Sequence, residues 1–594
     1  MMYQYRPPLA EMRFVLNDLL DAEGELAAIG LKNVTADTFN EILEAIGSFA
    51  AEKVAPTNAV GDRFGVRLEN GQVRTAPGFR DCYRQLGADG WIGINIAERY
   101  GGQGLPYLAH VGLNEILLSA NLAWRMCTGL AEGAMLAMEL HGTDDIKERF
   151  IPRIASGEWS ATMCLTEPQA GSDLGLLRTR AVPQSDGSYR ISGSKIFISY
   201  GDHDMADNIL HLVLARMPDA PAGSRGISMF AVPKWLPGEV GKRGAANGVV
   251  CTAVEEKMGI HGSPTCALSF ENSVGWIVGV PNKGLAAMFT MMNHARITVG
   301  LQGLALAECA RQASVAYAIE RRQGRAPGAR DARGDRADLI VEHPDVRRML
   351  LTQKALVEGG RLLSYYTVLQ MDRAERAADA AVRKEAEEEL AILTPIVKSL
   401  MTDFSIEVTG LAVQIHGGHG YVRETGVEQL SRDARITAIY EGTNGIQAYD
   451  LLVRKILPSG GDSVRHLIAK IRRDHAGLRL EGDLARWRQL AGDRLTEWEA
   501  LTGELVQAAK TDPNAGPAAA TDYLNFAGFT LLAWCWVDQA TRAVAHEDPD
   551  FAAAKRETAR FYFDRLLPRA DGFAAAIRSG AASTMTITAA QIAT

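Results

Sequence analysis

Three short segments carry the residue types that could do chemistry. The first, Met163–Asp173, combines small hydroxyl side chains with a glycine and a run of backbone N–H groups that could approach an anion closely, as phosphate binding requires. The same composition is typical of a Gly/Pro turn in which Ser172 and Asp173 cap the backbone locally. The segment is no GxGxxG motif and follows no βαβ pattern, so a Rossmann dinucleotide site is not supported.

The second segment, Arg435–Gln447, places Glu441 between an apolar stretch and Gly442. This position indicates a local break in a helix rather than its polar face. A carboxylate held in apolar surroundings has a raised pKa, which suits a general base that works near neutral pH. A helix-terminal glutamate in solvent is the alternative, and this segment alone does not decide between the two.

The third segment is His416–Gly420, which reads HGGHG. Histidines spaced i, i+3 could ligate a metal ion, but no carboxylate or cysteine stands at the usual distance, so no metal is predicted. The glycines indicate instead a backbone that approaches a ligand or another chain closely.

Composition sets limits on the class of protein. The 594 residues carry 63 basic and 71 acidic side chains, a net charge of −8, so the overall charge balance does not favour nucleic-acid binding. The seven cysteines are scattered without a CxxC pair, which argues against a disulfide framework or a zinc site and for a reducing compartment. We therefore expect a cytoplasmic enzyme or binding protein.

Neither a signal segment nor a membrane span is expected. Arg6, Glu11, Arg13 and Asp18 interrupt the region where a secretory signal would need an apolar run. The apolar stretch 523–537 is shorter than the roughly 20 residues that span a bilayer, so it predicts a buried helix.

The periodicity of apolar residues divides the chain into helices, a β-unit, helices again and a further helical region, which is an α+β fold. An amphipathic helix starts near residue 36, and Pro56 is expected to end it. The predicted domains are a 1–35 extension, a 36–157 helical domain, a 158–280 β domain that forms a small sheet or a barrel, a 281–455 helical bundle and an additional 456–594 helical domain.

Several motifs occur together in one order: TEPQAGSD, SGSKIFIS, MMNHARITVGLQGLA, YAIERRQGR, QIHGGHGY and RDARITAIYEGTNGIQ. In this order and spacing, over residues 80–455, the chain resembles the acyl-CoA dehydrogenase flavoprotein family. The extra C-terminal helical region and the segment PDVRRMLL resemble the family's long subgroup. Within that subgroup, the chain looks most like the members that act on 3-methylmercaptopropionyl-CoA.

The resemblance implies non-covalent FAD and assigns residues to it. Those expected near the flavin ring are Met163, Leu165, Thr166, Phe197 and Ser199. Thr443 is expected near the pyrophosphate, and Gly171 and Ser172 are expected near the pyrophosphate or the CoA entrance. Those that match positions reaching the FAD of a neighbouring subunit are Arg321, Gln323, Gln414 and Gly418.

The resemblance also implies how the acyl-CoA is held. Glu441 matches the catalytic base, while Ser172, Arg296 and Gly442 match substrate-side positions, Arg296 on the CoA side of the acyl pocket. Some members place the base immediately before that arginine, but here the position is Ala295, which cannot take a proton. Gly445 departs from the family pattern, because shorter members often carry glutamine there.

The implied activity is α,β-dehydrogenation of an acyl-CoA thioester to the trans-2-enoyl-CoA, as in the β-oxidation of fatty acids, with electrons passed to an electron-transferring flavoprotein. The implied assembly is a homodimer or a dimer of dimers. An acyl-CoA oxidase that uses O₂ is one alternative. A DNA-associated flavoprotein is another, opposed by the 16 basic and 17 acidic residues after residue 455. A non-enzymatic flavin scaffold is opposed by Glu441.

Overall fold

A computed structural model describes residues 4–238, 243–327, 336–477 and 480–594. The chain forms two compact units, one made of residues 1–44 with 299–594 and the other of residues 45–298. Most of the long helices belong to the first unit, the helix of residues 284–318 runs from the second unit into the first, and every strand of the described residues belongs to the second.

Helices dominate both ends of the chain. Those before the strands are α1 (Leu9–Arg13), α2 (Ala22–Ala28), α3 (Ala36–Phe49), α4 (Ala55–Phe64), α5 (Phe79–Ala88), α6 (Tyr107–Ala120), α7 (Leu122–His141) and α8 (Asp144–Ala155), with a small hairpin of β1 (Arg67–Glu69) and β2 (Gln72–Arg74) after α4. Those after the strands are α9 (Gly284–Ala318), α10 (Pro344–Arg376), α11 (Ala380–His416), α12 (Val427–Thr437), α13 (Asn444–Tyr449), α14 (Asp462–Ala476), α15 (Gly482–Ala508), α16 (Ala515–Ala543), α17 (Pro549–Phe561), α18 (Arg569–Arg578), α19 (Ala582–Met585) and α20 (Ala589–Ile592).

The remaining strands build the β-unit. They are β3 (Trp159–Cys164), β4 (Arg180–Pro183), β5 (Tyr189–Ser199), β6 (Asn208–Arg216), β7 (Ile227–Pro233), β8 (Trp235–Pro237), β9 (Arg243–Ala246), β10 (Val249–Val254) and β11 (Thr265–Val278). The strand order β10-β11-β5-β4-β6-β3 is closed by β7, which pairs with both β11 and β6. This closure confirms the predicted barrel-like sheet, because β11, β5, β4, β6 and β7 form a continuous ring.

Side-chain caps fix where the helices of the second unit begin. Asn121 starts α7, since its side-chain oxygen accepts a hydrogen bond from the Trp124 N–H at 3.0 Å. All fourteen residues of α6 are buried, including the polar side chains of His110, Asn114, Glu115 and Ser119.

Pro56 does not end the first long helix, so that prediction was wrong. A π-helical turn, Ala50–Val54, follows α3, and α4 begins at Ala55 with Pro56 in its first turn. Proline is tolerated there because an N–H in the first turn has no intrahelical acceptor.

The apolar stretch 523–537 is a buried helix, as predicted. It forms the middle of α16, whose Trp536 indole N–H donates to the Ala355 carbonyl of α10 at 3.1 Å. Gln539 donates to the Glu358 carbonyl, also on α10. Among the described residues, no helix combines the length and the apolar character needed to cross a membrane.

Candidate active site

The residues predicted to lie near a flavin ring meet in the second unit, where β3 and β5 end. The Thr162 hydroxyl donates to the Ser199 carbonyl at 2.7 Å, and the Ile196 N–H donates to the Thr166 carbonyl at 2.9 Å. These hydrogen bonds hold the chain after β3 beside the last turn of β5. The fold therefore brings Met163–Thr166 and Phe197–Ser199 together, although the two segments are separate in the sequence.

Phe197 has a backbone conformation that few aromatic residues adopt. Its φ is 57°, and its side chain is 60 % exposed, whereas its neighbour Ile198 is buried. A left-handed bulky residue is strained and persists only where its surroundings enforce it. An exposed aromatic face at this position offers a platform for a planar ring, so the residues present fit a flavin.

A buried ion pair lies under this segment. Lys195 on β5 donates to the Leu165 carbonyl and to Glu167 Oε1, both at 2.9 Å. Glu167 also accepts from the Thr179 hydroxyl at 2.6 Å. Burial alone would raise the pKa of the Glu167 carboxyl, but the Lys195 ammonium and the Thr179 hydroxyl lower that pKa to about 2. The pair thus fixes the backbone of residues 165–167 from the buried side of the segment.

Lys195 was not among the predicted site residues, although it lies in the motif SGSKIFIS. The usable signal was the alternation along β5, in which Ile191 and Lys195 both point inward and are buried. A lysine on the inward face of a strand is rare unless it has an anionic partner.

The loop after Glu167 is open to a ligand. Gly171 is exposed, and an added Cβ there would meet no heavy atom within 4 Å. Ser172 is exposed as well. Asp173 Oδ1 accepts from the Gly175 N–H at 2.9 Å, so the local cap that the sequence offered as an alternative is present. A capped turn with open glycine backbone fits a phosphate-bearing cofactor.

Glu441 lies in the first unit, in the turn between α12 and α13. Its φ is 54° and that of Gly442 is 85°, so both residues are left-handed. The Gln447 side chain donates to the Glu441 carbonyl at 3.1 Å, and the glutamate is half-buried. A non-glycine residue held in this strained conformation is typical of a functional position.

Asn444, which was not among the predicted site residues, anchors that turn. Its amide oxygen accepts from the Lys398 ammonium at 2.8 Å, and its amide nitrogen donates to Asp403 at 2.7 Å. Burial raises the pKa of the Asp403 carboxyl. Thr443, which is exposed, caps α13 by accepting from the Ile446 N–H at 3.3 Å.

The residues expected to reach a neighbouring subunit lie on the surface at one end of the first unit. At this end α9 and α11 terminate, and Tyr317 stacks on His416 and hydrogen-bonds to His419 Nδ1 at 2.8 Å. The exposed predicted residues there are Arg321, Gln323, Gln414 and Gly418. Within the described ranges, no group of three or more His, Cys, Asp or Glu could hold a metal ion.

Arg296 is buried on α9 in the second unit, and one guanidinium nitrogen lies 3.3 Å from Asn293 Oδ1. The predicted site residues are therefore distributed over both units. Thr443, Glu441 and Gly442 belong to the first unit, and residues 163–199 with Arg296 belong to the second.

Four family models match consecutive parts of the chain. They are the N-terminal domain of acyl-CoA dehydrogenase at residues 36–158, the middle domain at 162–273, the C-terminal domain at 282–456, and a C-terminal-like domain of acetyl-CoA dehydrogenase at 462–588. The chain belongs to the acyl-CoA dehydrogenase family and is an oxidoreductase of that class.

Curated relatives match over nearly the whole length. The 3-methylmercaptopropionyl-CoA dehydrogenase of Ruegeria pomeroyi is 41 % identical over 568 residues, which are 95 % of this chain and 96 % of that protein. A butyryl-CoA dehydrogenase of Syntrophomonas wolfei is 32 % identical over 96 % of this chain and 95 % of its own.

One solved structure shows the same fold over both units. An acyl-CoA dehydrogenase of Bacillus anthracis, complexed with FAD, covers 91 % of this chain and 88 % of its own with a TM-score of 0.74. Its sequence is 21 % identical, so the likeness concerns the fold alone. The predicted α+β architecture with an additional C-terminal helical region is confirmed.

Proposed function

We propose that the chain binds FAD and oxidises a short acyl-CoA thioester to the trans-2-enoyl-CoA, with 3-methylmercaptopropionyl-CoA as the favoured substrate. The observation that carries the proposal is Glu441, a glutamate whose backbone is held in the left-handed region, in a turn that Asn444 and Gln447 anchor. The proposed substrate is taken from the name of the relative that is 41 % identical to this chain.

Glu441 removes the α-proton of the thioester. That proton is very weakly acidic, so its removal needs a positioned base together with stabilisation of the carbonyl oxygen. The Glu441 backbone N–H is the expected donor to that oxygen. Removal of one such donor typically raises the barrier by about 3 kcal/mol. Anchoring by Asn444 supports this role, because a fixed backbone keeps both groups in place.

FAD, when bound, supplies the acceptor for the hydride that leaves the β-carbon. Phe197 and Ser199, with Met163, Leu165 and Thr166, would hold its ring. The resemblance assigns Gly171 and Ser172 to the pyrophosphate or the CoA entrance, and it assigns Thr443 to the pyrophosphate region. The Lys195–Glu167 pair supports this arrangement, because it fixes the backbone of two of these residues.

The family resemblance supports further parts of the proposal. Electrons leave to an electron-transferring flavoprotein in the cytoplasm, and the chain works as a homodimer or a dimer of dimers. Exposure of Arg321, Gln323, Gln414 and Gly418 is consistent with contacts to the FAD of a second subunit.

The test is Glu441→Gln in the FAD-loaded protein, with Glu387→Gln on an exposed position of α11 as the matched control. Both variants should bind FAD and acyl-CoA. The first should lose at least about a thousandfold in the rate of flavin bleaching, because the amide cannot accept the proton. Bleaching at the wild-type rate in Glu441→Gln would overturn the proposal. Fast reoxidation of the reduced protein by air would indicate the oxidase instead.

A further inference from the structure

The second unit contains a buried polar cluster that none of the roles above uses. On α7, Arg125 Nη2 donates to Glu132 Oε1 at 2.6 Å and to His110 Nε2 of α6 at 3.1 Å. His294 of α9 is more than nine-tenths buried and interacts electrostatically with all three groups. We call these four residues, Arg125, Glu132, His110 and His294, the α7 cluster.

Several atoms of this region have no hydrogen-bond partner among the described residues. Both ring nitrogens of His294, Oε2 of Glu132 and Nε of Arg125 are buried and unpaired, as is Oδ1 of Asn114 on α6. Buried polar atoms in folded proteins almost always have a partner, because desolvating them without one is unfavourable. Because several unpaired polar atoms lie in one region, we infer that a ligand or water forms hydrogen bonds with them.

Open space lies beside the same helix. An added Cβ at Gly133 would meet Met291 of α9 at 3.0 Å, whereas one at Gly129, one turn earlier, would meet nothing within 4 Å. Gly129 is partly exposed, although the residues before it in α7 are buried. Because positions 125, 129 and 132 share a helical face, the space adjoins Arg125 and Glu132.

The cluster as a whole carries no net charge. Burial alone would raise the pKa of the Glu132 carboxyl, but Arg125 and His110 lower that pKa to about 2, so Glu132 is ionised and balances Arg125. Burial lowers the pKa of His294 to about 4, so its ring is neutral at pH 7. A neutral imidazole has one N–H donor, and Arg125 Nε is a second. These donors suit an uncharged oxygen or sulfur acceptor.

We propose that His294 and Arg125 determine specificity by binding a heteroatom in the acyl chain, so that the enzyme selects short acyl-CoA thioesters carrying an ether or thioether over hydrocarbon chains of the same length. The inference rests on the proposed function and on the family resemblance, which implies that Arg296, two residues after His294 on α9, lies on the CoA side of the acyl pocket. A hydrocarbon would leave the donors unpaired, and such sites discriminate against the analogue that lacks the acceptor.

The experiment compares kcat/KM for 3-methylmercaptopropionyl-CoA, 3-methoxypropionyl-CoA and pentanoyl-CoA, which differ only in the sulfur, oxygen or methylene at one position. The wild-type holoenzyme should prefer both heteroatom substrates over pentanoyl-CoA by about tenfold or more. His294→Leu should reduce that ratio to about one, and His294→Gln, which keeps a donor, should retain part of it. The exposed His466→Leu on α14 is the matched control and should leave the ratio unchanged.

Flavin content and the melting temperature report whether each variant is folded. A wild-type ratio near one in an active enzyme would overturn the inference, whether or not His294→Leu folds. An unchanged ratio in folded His294→Leu would overturn it too. If wild type neither bleaches its flavin nor turns over any of the three thioesters, the proposed function itself has failed, which is a separate result.

Discussion

Two buried ionic clusters, one in each unit, differ in how completely their atoms are paired. In the first unit, the Lys555 ammonium donates to Glu358 Oε2 at 2.8 Å, to Gln539 Oε1 at 2.9 Å and to the Glu11 carboxylate. An ammonium has three N–H donors, so Lys555 is fully satisfied. In the second unit, the α7 cluster leaves buried atoms of His294, Glu132 and Arg125 without a partner.

The difference separates a structural cluster from a candidate binding site. A fully paired buried cluster holds elements together, and the Lys555 cluster joins α1, α10, α16 and α17. A cluster with open positions beside free space is destabilising unless something else completes it. Pairing, rather than charge or burial, distinguishes the two.

The largest expected effect is on the fully paired cluster. Lys555→Met should lower the free energy of unfolding by about 3–5 kcal/mol, because it leaves the Glu11 carboxylate buried without its cation and leaves Glu358 with Lys354 alone. Urea unfolding, with hydrogen exchange of peptides from α16 and α17, measures the loss. Lys510→Met, at an exposed position, is the control, and equal stability of the two variants would contradict the comparison.

The Lys195–Glu167 pair should stabilise the backbone beside the predicted FAD site. Lys195→Met should weaken FAD binding by about 30- to 100-fold, roughly 2–3 kcal/mol, because Glu167 remains buried without its cation and the backbone of residues 165–167 is released. Flavin fluorescence on titration with FAD gives the affinity. The exposed Lys283→Met should bind like wild type, and normal affinity in Lys195→Met would refute the role of the pair.

Acid should weaken the two clusters in different pH windows. The pKa of His294 falls on folding from its usual 6.5 to about 4, so the unfolded chain takes up the proton first. Stability therefore falls as pH drops from 6.5 toward 4, by at most about 1.4 kcal/mol per pH unit for this group. The pKa of Glu358 is lowered from 4.5, since Lys354 and Lys555 outweigh the burial that would raise it. Its contribution is lost only as pH falls below about 4.5.

Hydrogen exchange measured at several pH values on peptides from α7 and α17 distinguishes these windows. Buried His203 and His211, whose pKa values burial lowers to about 3, add to the loss in the second unit. His294→Leu should remove only the part of this acid-induced loss of stability that the protonation of His294 causes. A variant with an unchanged slope between pH 6.5 and 4 would show that His294 is not buried neutral.

The smallest expected effect on stability is that of His294→Leu itself, within about 1 kcal/mol of wild type at pH 7. Replacing an unpaired buried polar side chain by an apolar one of similar size is nearly neutral or stabilising. Thermal melting of the FAD-loaded variant checks this. If His294→Leu lost several kcal/mol of unfolding free energy, His294 would have a structural role like that of Lys555, and the proposed ligand role would be contradicted.

Local patterns predicted the features that depend on neighbours along the chain. The periodicity of apolar residues predicted the β-unit, and the uninterrupted apolar run predicted the buried middle of α16. Glu441 was singled out because a glycine follows an apolar stretch, and the structure places that glutamate in a left-handed turn. The prediction that Pro56 ends a helix was wrong, because a proline is also tolerated in the first turn of a new helix, and α4 begins at Ala55.

The amino-acid sequence alone determined the order of helices and strands, the motifs and the one carboxylate in the Gly-flanked turn, because each is written in adjacent residues. Only the tertiary structure decided which distant side chains meet. Lys195 reaches Glu167 across 28 positions, and Lys555 reaches Glu11 across 544. Such pairs depend on how whole elements pack, and that packing also decides which buried atoms of Arg125, Glu132 and His294 remain unpaired.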